Sequence, residues 1–191
     1  MKAGTSEYEA LNDLHLYAIC LGGRAPRARV ELHDVAFAVG RDLEDCHEQL
    51  LDAWFGQPDG LHIDAWARLD AVDGHRVELH RRPADEGPRL YFVNIGGYVP
   101  GEFIERHAYA FFAGRDRSEI KRRAKAELLV GKDSVHRDDL FDVDDVIAVD
   151  PGGGWHIRLV ADRNVKAPEV VNGYFPLPRA TIEDWKSRRD G

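Results

Sequence analysis

Residues Leu16 to Asp42 read LYAICLGGRAPRARVELHDVAFAVGRD, and residues Leu90 to Asp116, 74 positions later, read LYFVNIGGYVPGEFIERHAYAFFAGRD. Twelve positions match without a gap: Leu16/Leu90, Tyr17/Tyr91, Gly22/Gly96, Gly23/Gly97, Pro26/Pro100, Glu31/Glu105, His33/His107, Ala36/Ala110, Phe37/Phe111, Gly40/Gly114, Arg41/Arg115 and Asp42/Asp116. His62/His136, Asp64/Asp138 and Asp70/Asp144 keep the same offset. The chain is therefore read as a tandem duplication.

Within the quoted stretch, Leu16 to Leu21 is an unbroken apolar run that ends at Gly22-Gly23. That is the pattern of a strand buried on both faces, stopped by residues that tolerate positive φ, and it predicts the central strand of the repeat. Gly22 to Arg29 reads as a loop with Arg24, Arg27 and Arg29 close together. Consecutive glycines after a strand can present a nest of backbone N–H groups, and nearby arginines suit a phosphate or carboxylate. Gly-Gly followed by proline is equally an ordinary tight turn. No helix follows at once, which separates the loop from a nucleotide fingerprint, and the second copy has Tyr98, Gly101 and Phe103 in place of the arginines.

Val30 to Val39 predicts a strand by alternation. Glu31, His33, Val35, Phe37 and Val39 share one face; Leu32, Asp34, Ala36 and Ala38 share the other. The face with the large apolar residues is taken as the core face. Glu31 and His33 then stand at its mouth, where a carboxylate and an imidazole must be paired or wet. The second copy repeats the pair as Glu105 and His107. Such a pair closes the end of a core, or it serves a site, because titrating groups at a sheet end are what sites are made of.

Asp42 and Asp116 follow Gly-Arg and predict helix N-caps. Leu43, Cys46, Leu50 and Trp54 give the first helix an apolar stripe, and Ile120, Ala124 and Leu128 give one to the second. Arg117, Lys121, Arg122, Arg123 and Lys125 make a solvated basic face. Leu61 to Leu69 alternates, with Leu61, Ile63, Ala65, Ala67 and Leu69 on the apolar side and His62, Asp64, Trp66, Arg68 and Asp70 on the polar side. Asp73-Gly74 predicts a hairpin into the strand His75 to His80. Val143 to Val149 and Trp155 to Val160 are the corresponding strands of the second copy.

The expected fold is α+β: two tandem β-β-α-β-β repeats packed as a pseudodimer, with mostly antiparallel sheet. The expected divisions are an N-terminal arm over 1–15, repeats over 16–80 and 90–160, a linker over 81–89, and a C-terminal strap with a short helix over 161–191. That helix is expected to start at a Thr181 cap, with Trp185 as its anchor. The strap has no counterpart in the first repeat, so it is expected to seal the second copy or to reach a neighbouring subunit.

A net charge of −8, with acidic residues spread along the chain, disfavours nucleic acid and anionic membranes as partners. Two cysteines, Cys20 and Cys46, make no disulfide framework and no zinc ribbon. Neither an apolar leader nor an 18-residue apolar run is present, so a cytoplasmic location is expected.

The strings GGRAP, ELHDVAFAVG and LHIDAWARLDAVDG resemble the bacterial family named domain of unknown function 1543, with the likeness covering Leu16 to Leu79 and a divergent copy over Leu90 to Val160. The resemblance implies a bacterial, cytoplasmic protein and brings no activity with it. The second copy departs at Arg24 (Tyr98), Asp34 (Ala108) and Trp66 (Leu140), so a site built on these would belong to the first repeat.

Three functions are weighed. The first is a binding module for a small polar or anionic ligand, in a cleft formed from Gly22, Gly23, Arg24, Glu31, His33, His62, Asp64, Glu105 and His107. The second is an enzyme with Glu31 and His33 as acid and base, helped by Arg24 or Asp34. The third is a structural or homodimeric interaction protein. Glu31, His33, His62 and Asp64 together would suit iron, manganese or zinc. Alternation argues against that, since the two pairs would point to opposite sides of one sheet unless a bulge intervened. No metal site and no cofactor is therefore expected.

Overall fold

The structure, a computed structural model, describes residues 13–84, 86–98, 100–128 and 141–189, with backbone alone for 128 and 141–144. In chain order the elements are β1 (His15–Gly23), β2 (Leu32–Gly40), α1 (Leu43–Ala53), β3 (His62–Arg68), β4 (Ala71–Val72), β5 (His75–His80), β6 (Arg89–Gly97), β7 (Arg106–Gly114), α2 (Arg117–Leu128), β8 (Phe141–Ala148), β9 (His156–Ala161), β10 (Val170–Pro176) and α3 (Arg179–Arg189). The fold is α+β, and the β-β-α-β-β order recurs. The β1–β2, β1–β3, β3–β10, β4–β5, β6–β7 and β6–β8 pairs are all antiparallel. The described residues form two compact units, one from those within 1–70, 151–156 and 168–191, the other from those within 71–150 and 157–167.

In the first unit the sheet runs β10-β3-β1-β2, so the apolar run of β1 is central as its sequence requires. Asp42 caps α1 by accepting from the Asp45 amide at 2.9 Å. The helix buries Cys46, Leu50, Leu51 and Trp54 against Tyr17, Ile19, Leu21, Ala36 and Ala38. Here the assignment of faces on β2 is corrected: α1 covers the alanine side, while Val35 and Phe37 on the other side are half-buried. Small side chains let a helix approach the sheet closely, and that contact outweighs the bulk of the opposite face.

The C-terminal segment is also corrected. From residue 168 on it joins the first unit, where β10 adds to the free edge of β3 in the first repeat's sheet. α3 starts at Arg179, two residues before Thr181, and lays Ile182 and Trp185 against the first core. Trp185 Nε1 donates to Asp52 at 2.8 Å, and Arg188 grips both oxygens of Glu48 at 3.0 and 2.7 Å.

In the second unit the sheet runs β7-β6-β8, and β4-β5-β9 forms a further three-stranded sheet. The last strands of the two repeats, β5 and β9, are therefore neighbours there. Tyr91, Val93, Ile95, Phe112, Ile120 and Ala124 form the core under α2. Asp116 caps α2 through the Glu119 amide at 2.8 Å. The Asp73-Gly74 turn has φ of 51° and 71°, the doubly left-handed form that a tight hairpin needs. Asp73 also accepts from the Ala113 amide at 2.9 Å and from Arg123 at 3.0 Å.

The 74-residue matches at His62/His136, Asp64/Asp138 and Asp70/Asp144 are corrected by the register of the third strands. Tyr17 lies opposite Arg68 and Tyr91 opposite Ala148; Gly22 lies opposite His62 and Gly96 opposite Asp142. The third strands thus correspond at 80 residues, with Asp142 in the place of His62. His136 and Asp138 lie outside the described residues.

Candidate functional site

The site begins with a break in the β3 ladder. Opposite β1, Ala65 faces Cys20 and Ile63 faces Leu21, so Asp64 is the extra residue of a β-bulge. Opposite β10, Asn172 faces Ala65 and Phe175 faces Ile63, so Gly173 and Tyr174 stand across from the same residue. A bulge shifts the strand's alternation by one. Ile63 consequently shares the helix-covered side with Trp66, and His62 lands on the other side, opposite Gly22, which is opposite His33.

This overturns the expectation that the two pairs point apart. His33 Nε2 lies 2.9 Å from Asp64 Oδ2 and 3.9 Å from Glu31 Oε2. His62 Nε2 lies 3.4 Å from Glu31 Oε1 and 3.4 Å from Asp64 Oδ1. Each carboxylate gives one oxygen to each imidazole, so the four groups close a ring. His62 is 2 % exposed, whereas the His33 side chain is half exposed, so the ring has a buried and a solvent side.

His62 is held in one orientation. Its Nδ1 is 2.9 Å from the Gly60 carbonyl, which only accepts, so Nδ1 carries the hydrogen. Its Nε2 is turned onto two carboxylate oxygens. Tyr174 packs on the same imidazole with ring centroids 4.5 Å apart.

Gly22 makes room for this arrangement. A Cβ there would fall 2.4 Å from His62 Nε2 and 2.6 Å from Asp64 Oδ2. Gly23 does the same for the core, where a Cβ would meet Trp54 Cζ2 at 2.8 Å. Both glycines are paired strand residues without positive φ, so the expectation of a nest or a turn at Gly22-Gly23 is corrected.

Arg24 is exposed and contributes its carbonyl, which accepts from the Gln57 amide at 2.6 Å; among the described residues its guanidinium makes no ion pair. Asp34 lies opposite Leu21, on the helix side of the sheet, and accepts from its neighbour's amide at 2.8 Å, so it does not join His33. Burial pushes the Cys20 thiol up, and the Asp64 and Asp34 carboxylates add to the shift, which suppresses its use as a nucleophile. Among the described residues no group of three or more His, Cys, Asp or Glu side chains is arranged to hold a metal ion, and no helix is long and apolar enough to cross a membrane.

Glu105 and His107 belong to the second unit and form a separate cluster. His107 Nε2 is 3.7 Å from Glu105 Oε2, and His107 Nδ1 is 3.1 Å from Asn94 Oδ1. The second repeat has the same bulge, since Asn94 faces Asp145 and Ile95 faces Val143. Sequence reasoning missed Tyr174 and Gly60 altogether. The bulge itself had a signal: strict alternation put Trp66 on the solvent side, and a bulge is one way to bring so large an aromatic ring inward.

The family pattern described as Domain of Unknown Function (DUF1543) matches residues 28–79 and again residues 102–151, just over half the chain. The chain belongs to the DUF1543 family. It is also similar to a solved structure, the crystal structure of a protein Il1583 from Idiomarina loihiensis. The two share 32 % identity over 87 % of this chain and 99 % of that one, with a TM-score of 0.67. No curated protein matches this DUF1543 chain.

Proposed function

We propose that this duplicated protein is a binding module for a small polar ligand, with its site at Glu31, His33, His62 and Asp64. The single observation that carries the reading is the buried His62, locked through Nδ1 with Nε2 turned onto two carboxylate oxygens at 3.4 Å. Two carboxylates gathered with no Lys or Arg paired to them among the described residues favour a partner that brings positive charge or hydrogen-bond donors. An anionic ligand fits less well, since it would meet two carboxylates. The reading therefore keeps the polar ligand and gives up the anion.

A second reading rests on the 2.9 Å contact of the half-exposed His33 with Asp64, an imidazole–carboxylate pair of the kind that moves protons in acid–base catalysis. Native mass spectrometry of untagged protein, purified without chelator, tests the binding reading. We expect a stoichiometric mass excess that Asp64→Asn removes. An excess that survives Asp64→Asn, or bare protein that takes up no cationic or polar probe, would overturn it.

A further inference from the structure

We propose that the ligand is an organic cation carrying N–H donors, an alkylammonium or guanidinium group, and that Tyr174 of the C-terminal strand supplies one wall of its site. The proposal rests on the binding reading above and narrows it to a ligand class. Glu31 and Asp64 are paired with His33 and His62 alone, and no Lys or Arg among the described residues neutralises either carboxylate. The two carboxylates have only imidazoles for partners, so among the described residues the site holds no permanent cation. A ligand ammonium or guanidinium supplies one and brings N–H donors with it.

Tyr174 adds a second and independent feature. β10 would pair without interruption if Gly173 and Tyr174 did not stand opposite the bulged Asp64; the doubled irregularity sets Tyr174 beside His62. Its side of the site is open, for the residue is 67 % exposed. An exposed phenol ring fixed on the imidazole that faces two carboxylates is a combination that attracts organic cations, through the negative face of the ring and the acids together. Gly173 shapes this segment, since a Cβ there would meet the Phe175 ring at 2.8 Å. The C-terminal segment is thus part of the site as well as an edge strand.

The test is an NMR titration of the full chain with methylammonium chloride and methylguanidinium chloride, each against sodium chloride at equal ionic strength, following the ring signals of His33 and His62. We expect saturable shifts with an organic cation and none with sodium. Asp64→Asn should weaken binding at least tenfold. Tyr174→Ala should weaken it roughly 2- to 30-fold, the span of a cation–π contact, and Tyr174→Phe should restore it. Equal response to sodium, or unchanged affinity in Tyr174→Ala, overturns the proposal. Saturable binding of acetamide, inorganic phosphate or zinc chloride at the same histidines, with no response to either organic cation, also overturns the ligand class while leaving the binding site standing. Silence towards every probe sinks both readings.

Discussion

Replacing Gly22 with alanine strikes the site at the point where it has least room. The new methyl carbon would stand 2.4 Å from His62 Nε2, 3.0 Å from His62 Cε1 and 2.6 Å from Asp64 Oδ2. Ordinary contact begins about 1 Å further out, so the imidazole must move by about that much. It has nowhere easy to go, being buried, tied to the Gly60 carbonyl at 2.9 Å and packed under Tyr174. Overpacking of this kind costs about 1–3 kcal/mol, and the gain from removing a strand glycine returns about 0.5–1 kcal/mol. The net loss should be about 1–2 kcal/mol, or a fall in Tm of about 2–8 °C for a chain of this size. Displacing His62 also breaks the four-group cluster, and losing a charge-assisted hydrogen bond of about 1.5–3 kcal/mol weakens ligand binding tenfold or more. Gly23→Ala is the paired control: it collides with Trp54 at 2.8 Å, so it should destabilise the core and leave the histidine signals in place. Thermal unfolding and histidine NMR on both variants read the two effects separately. If Gly22→Ala leaves the His62 ring signals and ligand affinity unchanged, the geometry derived for the site is wrong.

Other consequences concern the faces, the tail and a buried thiol. Trp66 packs against the helix-covered core, so Trp66→Ala should cost about 2 kcal/mol in urea unfolding, whereas a solvent-facing Trp66 would cost close to nothing. Trp185 rests on the first core and donates to Asp52, so Trp185→Ala should cost a similar amount, about 2 kcal/mol, and lower protection from amide exchange in β3 and β10 rather than in β8. Burial pushes the Cys46 thiol up to about 12 from an ordinary 9.0. Above pH 9 the unfolded chain releases this proton while the folded chain keeps it, so stability should fall with rising pH, by roughly 2–3 kcal/mol at pH 11. Cys46→Ala should flatten that alkaline limb, and a limb of unchanged slope would refute the assignment. At pH 8 the native Cys46, buried and with its thiol pushed up, should react with iodoacetamide more slowly than the exposed thiol of the unfolded chain.

Local signals in the sequence carried most of the fold. The apolar run of β1 announced a central strand, and the capping aspartates Asp42 and Asp116 accept the amides they were expected to accept. Asp73-Gly74 is the tight turn its residues demand. What sequence alone did not carry were the features decided between distant segments. β10 completes the first sheet, although about 100 residues separate it from β3, and pairing at that range leaves no periodicity to read.

The bulge at Asp64 was the costliest omission. Alternation places side chains correctly only while the ladder is regular, and a single extra residue moved His62 to the side of His33. The same reasoning explains the offset. An exact 74-residue match at His62/His136 looked like homology, yet the register pairs the position of His62 with Asp142. The glycines were read for their freedom of φ, when what the fold uses is their lack of a side chain. Even so, Glu31, His33, His62 and Asp64 were all visible as candidates; it was their convergence that needed three dimensions.

That convergence is the central claim, and histidine ring NMR of Asp64→Asn measures it most directly. Asp64 Oδ2 lies 2.9 Å from His33 and Oδ1 lies 3.4 Å from His62, so one carboxylate serves two rings on different strands. Neutralising it should shift the ring signals of His33 and His62 together while leaving His15 and His75 where they are. A shift confined to one of the two rings, or to neither, would contradict the bulged geometry on which the site depends.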